Sequence, residues 1–334
     1  MSIYINSIKQ ISAQRPLVDD WFEQPVFYSD PYVRAIEPDY KQFFTPNESR
    51  RLGKILKRAL LVSRQAMLES GVSQPDAIIT GTGLGCIEST EIFLDKLVRE
   101  GEELLNPTHF MQSTHNTISS LVAIDTKCHA YNSTYAHKGI SFECALQDAF
   151  MQLKINKIKT ALVGAHDEMT PVYFDILKKA GYWGKPHQTF AGEVAVAMML
   201  STEKTEKTLC EIEAVEKLYG DISTCDMRQS DIANPDYIMV GTSGVEENDK
   251  VYFENCAKLF PNIPLLQYKH LFGEGYTMPA LGVYAAAVCL HKGEIPAHLF
   301  FAPNIINQAP RLFNKILCYN QFEGKNHTFI LLSK

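Results

Sequence analysis

Apolar positions recur at helical spacing in two stretches of the first half of the chain. Leu52, Ile55, Leu56, Ala59, Leu60, Ala66 and Met67 mark one face of a helix that opens at Thr45-Pro46-Asn47-Glu48 and stops at Gly71. Thr45 is placed to cap it, Pro46 suits the first helical position, and Glu48 completes a capping box. Phe142, Ala145, Leu146, Ala149, Phe150 and Leu153 mark a second amphipathic helix, and the short apolar run Thr160 to Ala165 after it reads as a central strand. Another buried strand is predicted at Asp76 to Thr80, leading through Gly81-Thr82-Gly83-Leu84-Gly85 into a helix that ends at Gly101. Residues 1–44 are rich in Tyr, Pro, Asp and Phe with weak periodicity, which predicts a first strand followed by irregular, partly packed loops.

The segment DAIITGTGLG at 76–85 returns in outline as DYIMVGTSGV at 236–245: an Asp, an apolar strand and Gly-Thr before a helix. This repeat predicts a duplicated α/β architecture. The polar run STEKTEKT at 201–208 marks the junction, giving halves of residues 1–204 and 205–334. A glycine-rich turn between strand and helix invites a dinucleotide, but Cys86 stands where the third glycine of that fingerprint belongs. The glycines are read as allowing a tight turn and close packing, and no cofactor is expected.

Composition narrows the classes further. A chain of 334 residues with 46% apolar content can bury a large core, and its net charge of −6 gives no footprint for nucleic acid. No basic-plus-apolar leader is apparent and no apolar run approaches the roughly 20 residues that span a bilayer, so a cytoplasmic protein without membrane contact is expected. The eight cysteines (86, 128, 144, 210, 225, 256, 289 and 318) contain no C-x-x-C pair and read as thiols. His109, His115, His129, His137 and His166 match no zinc spacing, so no metal is expected.

The stretch Asn132 to Glu168 joins a turn, a helix and a strand, and a loop feeding a helix N-terminus is where α/β enzymes often hold a nucleophile. It resembles the nucleophile segment of the β-ketoacyl-acyl-carrier-protein synthases, condensing enzymes of the thiolase fold. In that family an Asn lies seven residues before the nucleophilic Cys, and a small-residue helix leads to a strand ending in Gly and an acidic residue. Asn132, Ala145-Leu146, and Gly164 with Asp167 take those positions, and all three anchors place Gly139 where the Cys belongs. The resemblance runs from about Arg50 to the end and implies a five-layered αβαβα sandwich of two duplicated halves. Gly192-Glu193-Val194-Ala195 looks like the family's mid-chain strand signature.

The same resemblance implies what is missing. Val240 stands where the first His precedes Gly-Thr, and Glu274 stands at the second His, after the retained Lys269 and Gly273. The family's C-terminal glycine-rich loop appears as Asn320 to Asn326, with Phe322 at the gating aromatic position and Gln321 and Glu323 in place of glycines. Condensation needs a thiolate to carry the acyl group and partners for decarboxylation and the thioester oxyanion; Gly139, Val240 and Glu274 supply none of these. Glu274 beside Lys269 reads as an ion pair filling the vacated site. Cys144, five residues past Gly139, lies one and a half turns into the helix, where no free N–H groups point at it.

Such a chain resembles a chain-length factor, the silent partner of an active ketosynthase, and Asn-Ser-Thr-Tyr before His137-Lys138 also resembles ketosynthase-like subunits of bacterial aryl polyene pathways. The family pairs through edge strands, here Cys128 to Ser133, and a neighbouring loop, here Pro107 to Thr114 with Phe110, Met111 and Gln112, lines the partner's acyl tunnel. The implied partners are a catalytic ketosynthase or a second copy, and an acyl carrier protein. Two other readings stand beside this one: an active carrier-protein-dependent enzyme with changed chemistry, and a homodimeric scaffold without an acyl substrate.

Overall fold

Alternation along the buried strands decides how the layers stack. The computed structural model describes every residue except 103, 104, 106, 223, 224, 226–231, 233 and 302–311. Among the described residues the strands are β1 (Tyr4–Ile11), β2 (Ala77–Gly81), β3 (Tyr131–Tyr135), β4 (Thr160–Asp167), β5 (Val194–Ser201), β6 (Cys210–Tyr219), β7 (Tyr237–Val240), β8 (Leu265–Gln267), β9 (Lys315–Phe322) and β10 (Asn326–Ser333). The helices are α1 (Pro46–Arg51), α2 (Lys54–Ser70), α3 (Ile87–Glu100), α4 (Pro107–Gln112), α5 (Thr117–Thr126), α6 (Ser141–Lys154), α7 (Pro171–Lys179), α8 (Glu246–Leu259), α9 (Lys269–Phe272) and α10 (Pro279–Lys292).

The strand order is β3-β2-β4-β5-β1-β6-β10-β9-β7-β8. Counting β6 to β10 as a second set of five, the order reads the same from either end. The pairings agree: β2 is parallel to β3 and β4, β7 is parallel to β8 and β9, and β4–β5, β1–β5, β9–β10 and β6–β10 are antiparallel. The two sets meet only at Tyr4↔Glu211 and Ile5↔Cys210, so the sheets are continuous across β1 and β6 rather than separate.

The aspartate that opens each sequence repeat does the same job twice. Asp76 accepts from the backbone N–H of Lys159 and Thr160, at 2.9 and 3.0 Å, fastening β2 to the start of β4. Asp236 accepts from Asn314 and Lys315, at 2.8 and 3.0 Å, fastening β7 to the start of β9. A carboxylate accepting two backbone donors is a charge-assisted contact, about twice as strong as a neutral one.

Side chains at alternate strand positions then choose a layer. Ala77 and Ile79 of β2, Val194, Val196 and Met198 of β5, and Met239 of β7 face a central core shared with α6 and α10. Ile78, Leu162, Ala195 and Met199 face an outer core under α2 and α5. Ile238, Val240, Leu317 and Leu331 face a second outer core under α8. The result is the expected five-layered αβαβα sandwich, with α10 buried along almost its whole length between the sheets.

Two local expectations change. The helix predicted from Thr45 to Gly71 is two helices, because Leu52 is extended and Gly53 caps a fresh start at Lys54; glycine inside a helix costs ~1 kcal/mol relative to Ala, so a break there is inexpensive. The segment expected as a loop at Pro107 to Thr114 begins as α4, with Pro at its first position. The capping box at Thr45 and Glu48 forms as read. No helix among the described residues is long and apolar enough to cross a membrane.

Candidate functional site

The backbone leaving β3 makes a single 3-10 turn over Lys138–Ile140 and enters α6 at Ser141. The Ser141 hydroxyl donates to the Lys138 carbonyl at 2.8 Å and accepts from the His137 N–H at 2.7 Å, which fixes the turn. Gly139 is buried at its centre, and its φ lies outside the left-handed region, so the backbone itself would admit a side chain. Space does not. A Cβ on Gly139 would lie 2.3 Å from Cδ2 of Phe322 and 2.8 Å from two further ring atoms. The Phe322 ring occupies the place a nucleophile's side chain would need.

Phe322 is held there by a tight turn rather than a mobile loop. It ends β9, and Glu323 and Gly324 carry the chain back with φ of 56° and 67° into β10, where Asn326 pairs with Phe322. The Gln321 side chain accepts from the Gly324 N–H at 2.8 Å, and Phe322 meets Tyr276 edge to face at 6.2 Å.

A cavity of about 430 Å³ opens beside this ring, lined among others by Gly139, Asp167, Trp183, Gly241, Lys269, Glu274, Tyr276 and Phe322. Lys269 donates to Glu274 at 2.7 Å, the expected ion pair; the ammonium is almost fully buried while the carboxylate keeps a quarter of its side-chain exposure. Val240 does not join them. Along β7 the side chains alternate, so Val240, like Ile238, faces the outer core with Tyr252 and Leu317, and Gly241 meets the cavity instead. Asn132 lies exposed on β3, exchanging hydrogen bonds with Ser119, and His137 is exposed at the turn. Phe110 and Met111 are 57% and 62% exposed on α4 and do not line this cavity; Gln112 lines a separate groove with Leu121 and Ile124.

Asp167 explains the glycine-rich turn. Its carboxylate accepts from the N–H of Gly83 at 2.9 Å and Leu84 at 2.8 Å and from the hydroxyls of Thr82 at 3.0 Å and Thr277 at 2.7 Å. The donors that would cradle a phosphate are filled from within the chain. Burial pushes the Asp167 carboxyl up, while these four partners oppose the shift. The corresponding turn of the second half is filled likewise, with Asp249 accepting from Ser243 and Gly244 at 2.8 and 2.9 Å. Close packing holds too: a Cβ on Gly81 would lie 2.6 Å from the backbone of Phe142.

Sequence reading missed Glu143. It has no exposure, and Asn320 donates to it at 2.6 Å while also reaching the Gly139 carbonyl at 3.2 Å, so one amide ties β9, the turn and α6 together. Burial pushes its carboxyl up to about 7, against lowering by hydrogen bonds from its own backbone and Asn320 and by the charges of Lys269 and Lys217. It sits among Phe142, Ala145 and Leu146, and its acidic place in a helix's first turn looks like ordinary complementarity to the dipole. Equally unread was Arg58, fully buried between Glu37 and Glu193 at 2.5 and 2.9 Å. Glu193 also accepts from the N–H of Ala35 at 2.9 Å and Met169 at 3.3 Å, which anchors the cavity wall.

The family model for Beta-ketoacyl synthase, N-terminal domain, matches residues 31–257. Comparison with curated proteins finds no match. Among solved structures, the chain resembles the ishigamide ketosynthase/chain length factor at TM-score 0.80 and 13% identity, over 100% of this chain and 99% of that one. It resembles a chain of the ketosynthase ApeO in complex with its chain length factor ApeC, from Xenorhabdus doucetiae, at TM-score 0.80 and 15% identity, over 99% and 98%. A third likeness, at TM-score 0.79 and 12% identity over 99% of both chains, is to AntDE:AntF, a type II polyketide synthase acyl-carrier protein in complex with its ketosynthase. These likenesses carry the fold. A sequence match through well over half of the chain carries more, and with it this protein belongs to the β-ketoacyl synthase family.

Proposed function

We propose that this protein is the non-catalytic, chain-length-factor subunit of a ketosynthase in fatty acid or polyketide biosynthesis of the polyene type, working in the cytoplasm. The observation that carries the reading is the nucleophile position itself: Gly139 offers no side chain, and the Phe322 ring fills the space one would need. Ion pairing of Lys269 with Glu274 and the outward turn of Val240 leave no imidazole at either histidine position of the family pattern. The halves run from 1 to 204 and from 205 to 334.

The partner is a catalytic ketosynthase, and the carrier protein delivers to that partner. Exposed β3 at one end of the sheet, with Phe110 and Met111 on α4 close to it in sequence, supports this pairing. An unpaired strand edge is a liability unless covered, and two large exposed apolar side chains are suited to bounding another subunit's tunnel. The test is co-expression with a ketosynthase encoded beside it, followed by co-purification and product mass analysis. Phe110→Ala and Met111→Trp are expected to shift product length while the pair still co-purifies, and the chain alone is expected to gain no acyl adduct from a loaded carrier protein. Identical products at the same rate without this chain would refute the role.

A further inference from the structure

Lys217, exposed on β6, donates through Nζ to Sγ of Cys144 on α6 at 3.3 Å. Cys144 itself is 8% exposed. The two residues belong to different halves of the fold, and the preceding residue, Glu143, is a fully buried carboxylate with Oε2 lacking a hydrogen-bond partner. Neither Cys144 nor Lys217 lines the Gly139 cavity, so the pair has no part in the proposed function. Cys86, Cys210 and Cys318 lie instead in apolar clusters.

A thiol held against an amine is a site where oxidation has a captured outcome, because the oxidised sulfur meets a nitrogen before it meets a second oxidant molecule. We infer that Cys144 and Lys217 form an oxygen-bridged Nζ–O–Sγ cross-link when the protein meets dioxygen. The thiol S–H and one N–H of the neutral amine break; one oxygen atom bonds to both sulfur and nitrogen, and the other leaves as water with the two hydrogens. Sulfur and nitrogen each give up two electrons, which together reduce both oxygen atoms. The link ties α6, the helix that begins at the Gly139 turn, to β6 of the second half. Dithiol reductants reverse it, returning thiol, amine and water.

The test uses the full-length protein, purified in air with and without dithiothreitol and digested for peptide mass mapping. The expected product joins the Cys144 and Lys217 peptides with a gain of about 14 Da over their summed mass, one oxygen gained and two hydrogens lost. It disappears after dithiothreitol and is absent from Cys144→Ser and from Lys217→Arg. Unmodified peptides after prolonged aeration would overturn the inference. So would oxidation confined to Cys144, a disulfide from Cys144 to another cysteine, or a direct link without the added oxygen; each is read on the wild-type chain, whether or not the variants fold.

Discussion

Adding a single carbon at residue 139 tests whether Phe322 fills that space. Two effects of known sign compete in Gly139→Ala. Because φ at Gly139 is compatible with a side chain, removing glycine's freedom from the unfolded chain stabilises by about 0.4–1 kcal/mol. The new Cβ, however, would lie 2.3 Å from the Phe322 ring, and overpacking of that kind costs roughly 1–3 kcal/mol. The clash wins, leaving a net loss of about 0.5–2 kcal/mol. For a chain of 334 residues the unfolding entropy is about 0.7 kcal/mol per degree, so the melting temperature falls by roughly 1–3 °C. In a Phe322→Ala background the clash is gone and the same change raises the melting temperature instead. Differential scanning calorimetry of the four proteins reads this double-mutant cycle. If Gly139→Ala shifts stability by the same amount in both backgrounds, within about 0.5 kcal/mol, Phe322 does not occupy the site and the reasoning fails.

Two further expectations follow from the buried charges. Glu274→Ala strands an ammonium that is 4% exposed, whereas Lys269→Met leaves a carboxylate that water still reaches; breaking a buried pair costs about 3–5 kcal/mol, so urea midpoints should fall further for Glu274→Ala than for Lys269→Met. Glu143 is held up to about 7 in the folded protein against an ordinary 4.5, so the folded state keeps its proton the more tightly. Its contribution is fully present below pH 4.5 and is lost as pH rises to 7. Glu143→Gln should therefore match wild type near pH 4.5 and exceed it at pH 8, by up to about 3 kcal/mol, in urea titrations at the two pH values; a constant difference across that range would contradict the assignment.

How much could be read beforehand depends on whether the deciding contact is local. The Thr45 cap, the turn-helix-strand run through Gly139, and the Lys269–Glu274 pair five residues apart all formed as read, because each is settled within one or two turns of chain. The inward or outward choice at Val240 was not legible. Tyr237-Ile238-Met239-Val240 is apolar at every position, so a strand buried on both faces shows no alternation from which to take the parity. The role of Asp167, and Glu143 altogether, escaped for the opposite reason: their partners, at Gly83, Leu84, Thr277 and Asn320, are brought to them by strand order. The doubled Asp76 and Asp236 were legible as a repeat, and only the pairing of β2 with β4 and of β7 with β9 explains why that residue recurs.

The two ends of the sheet are unequal in a way that limits assembly. At one end β3 offers five residues of exposed to half-exposed strand; at the other β8 is three residues long, and Leu266 already bridges to Phe300. A protein with open edges at both ends can grow without limit, each addition exposing the next template. Among the described residues β3 is the one long open edge, so a neighbour docking strand to strand there would use that edge on each molecule, and a two-fold contact of that kind closes on itself. Growth by edge pairing would then be self-terminating at two chains.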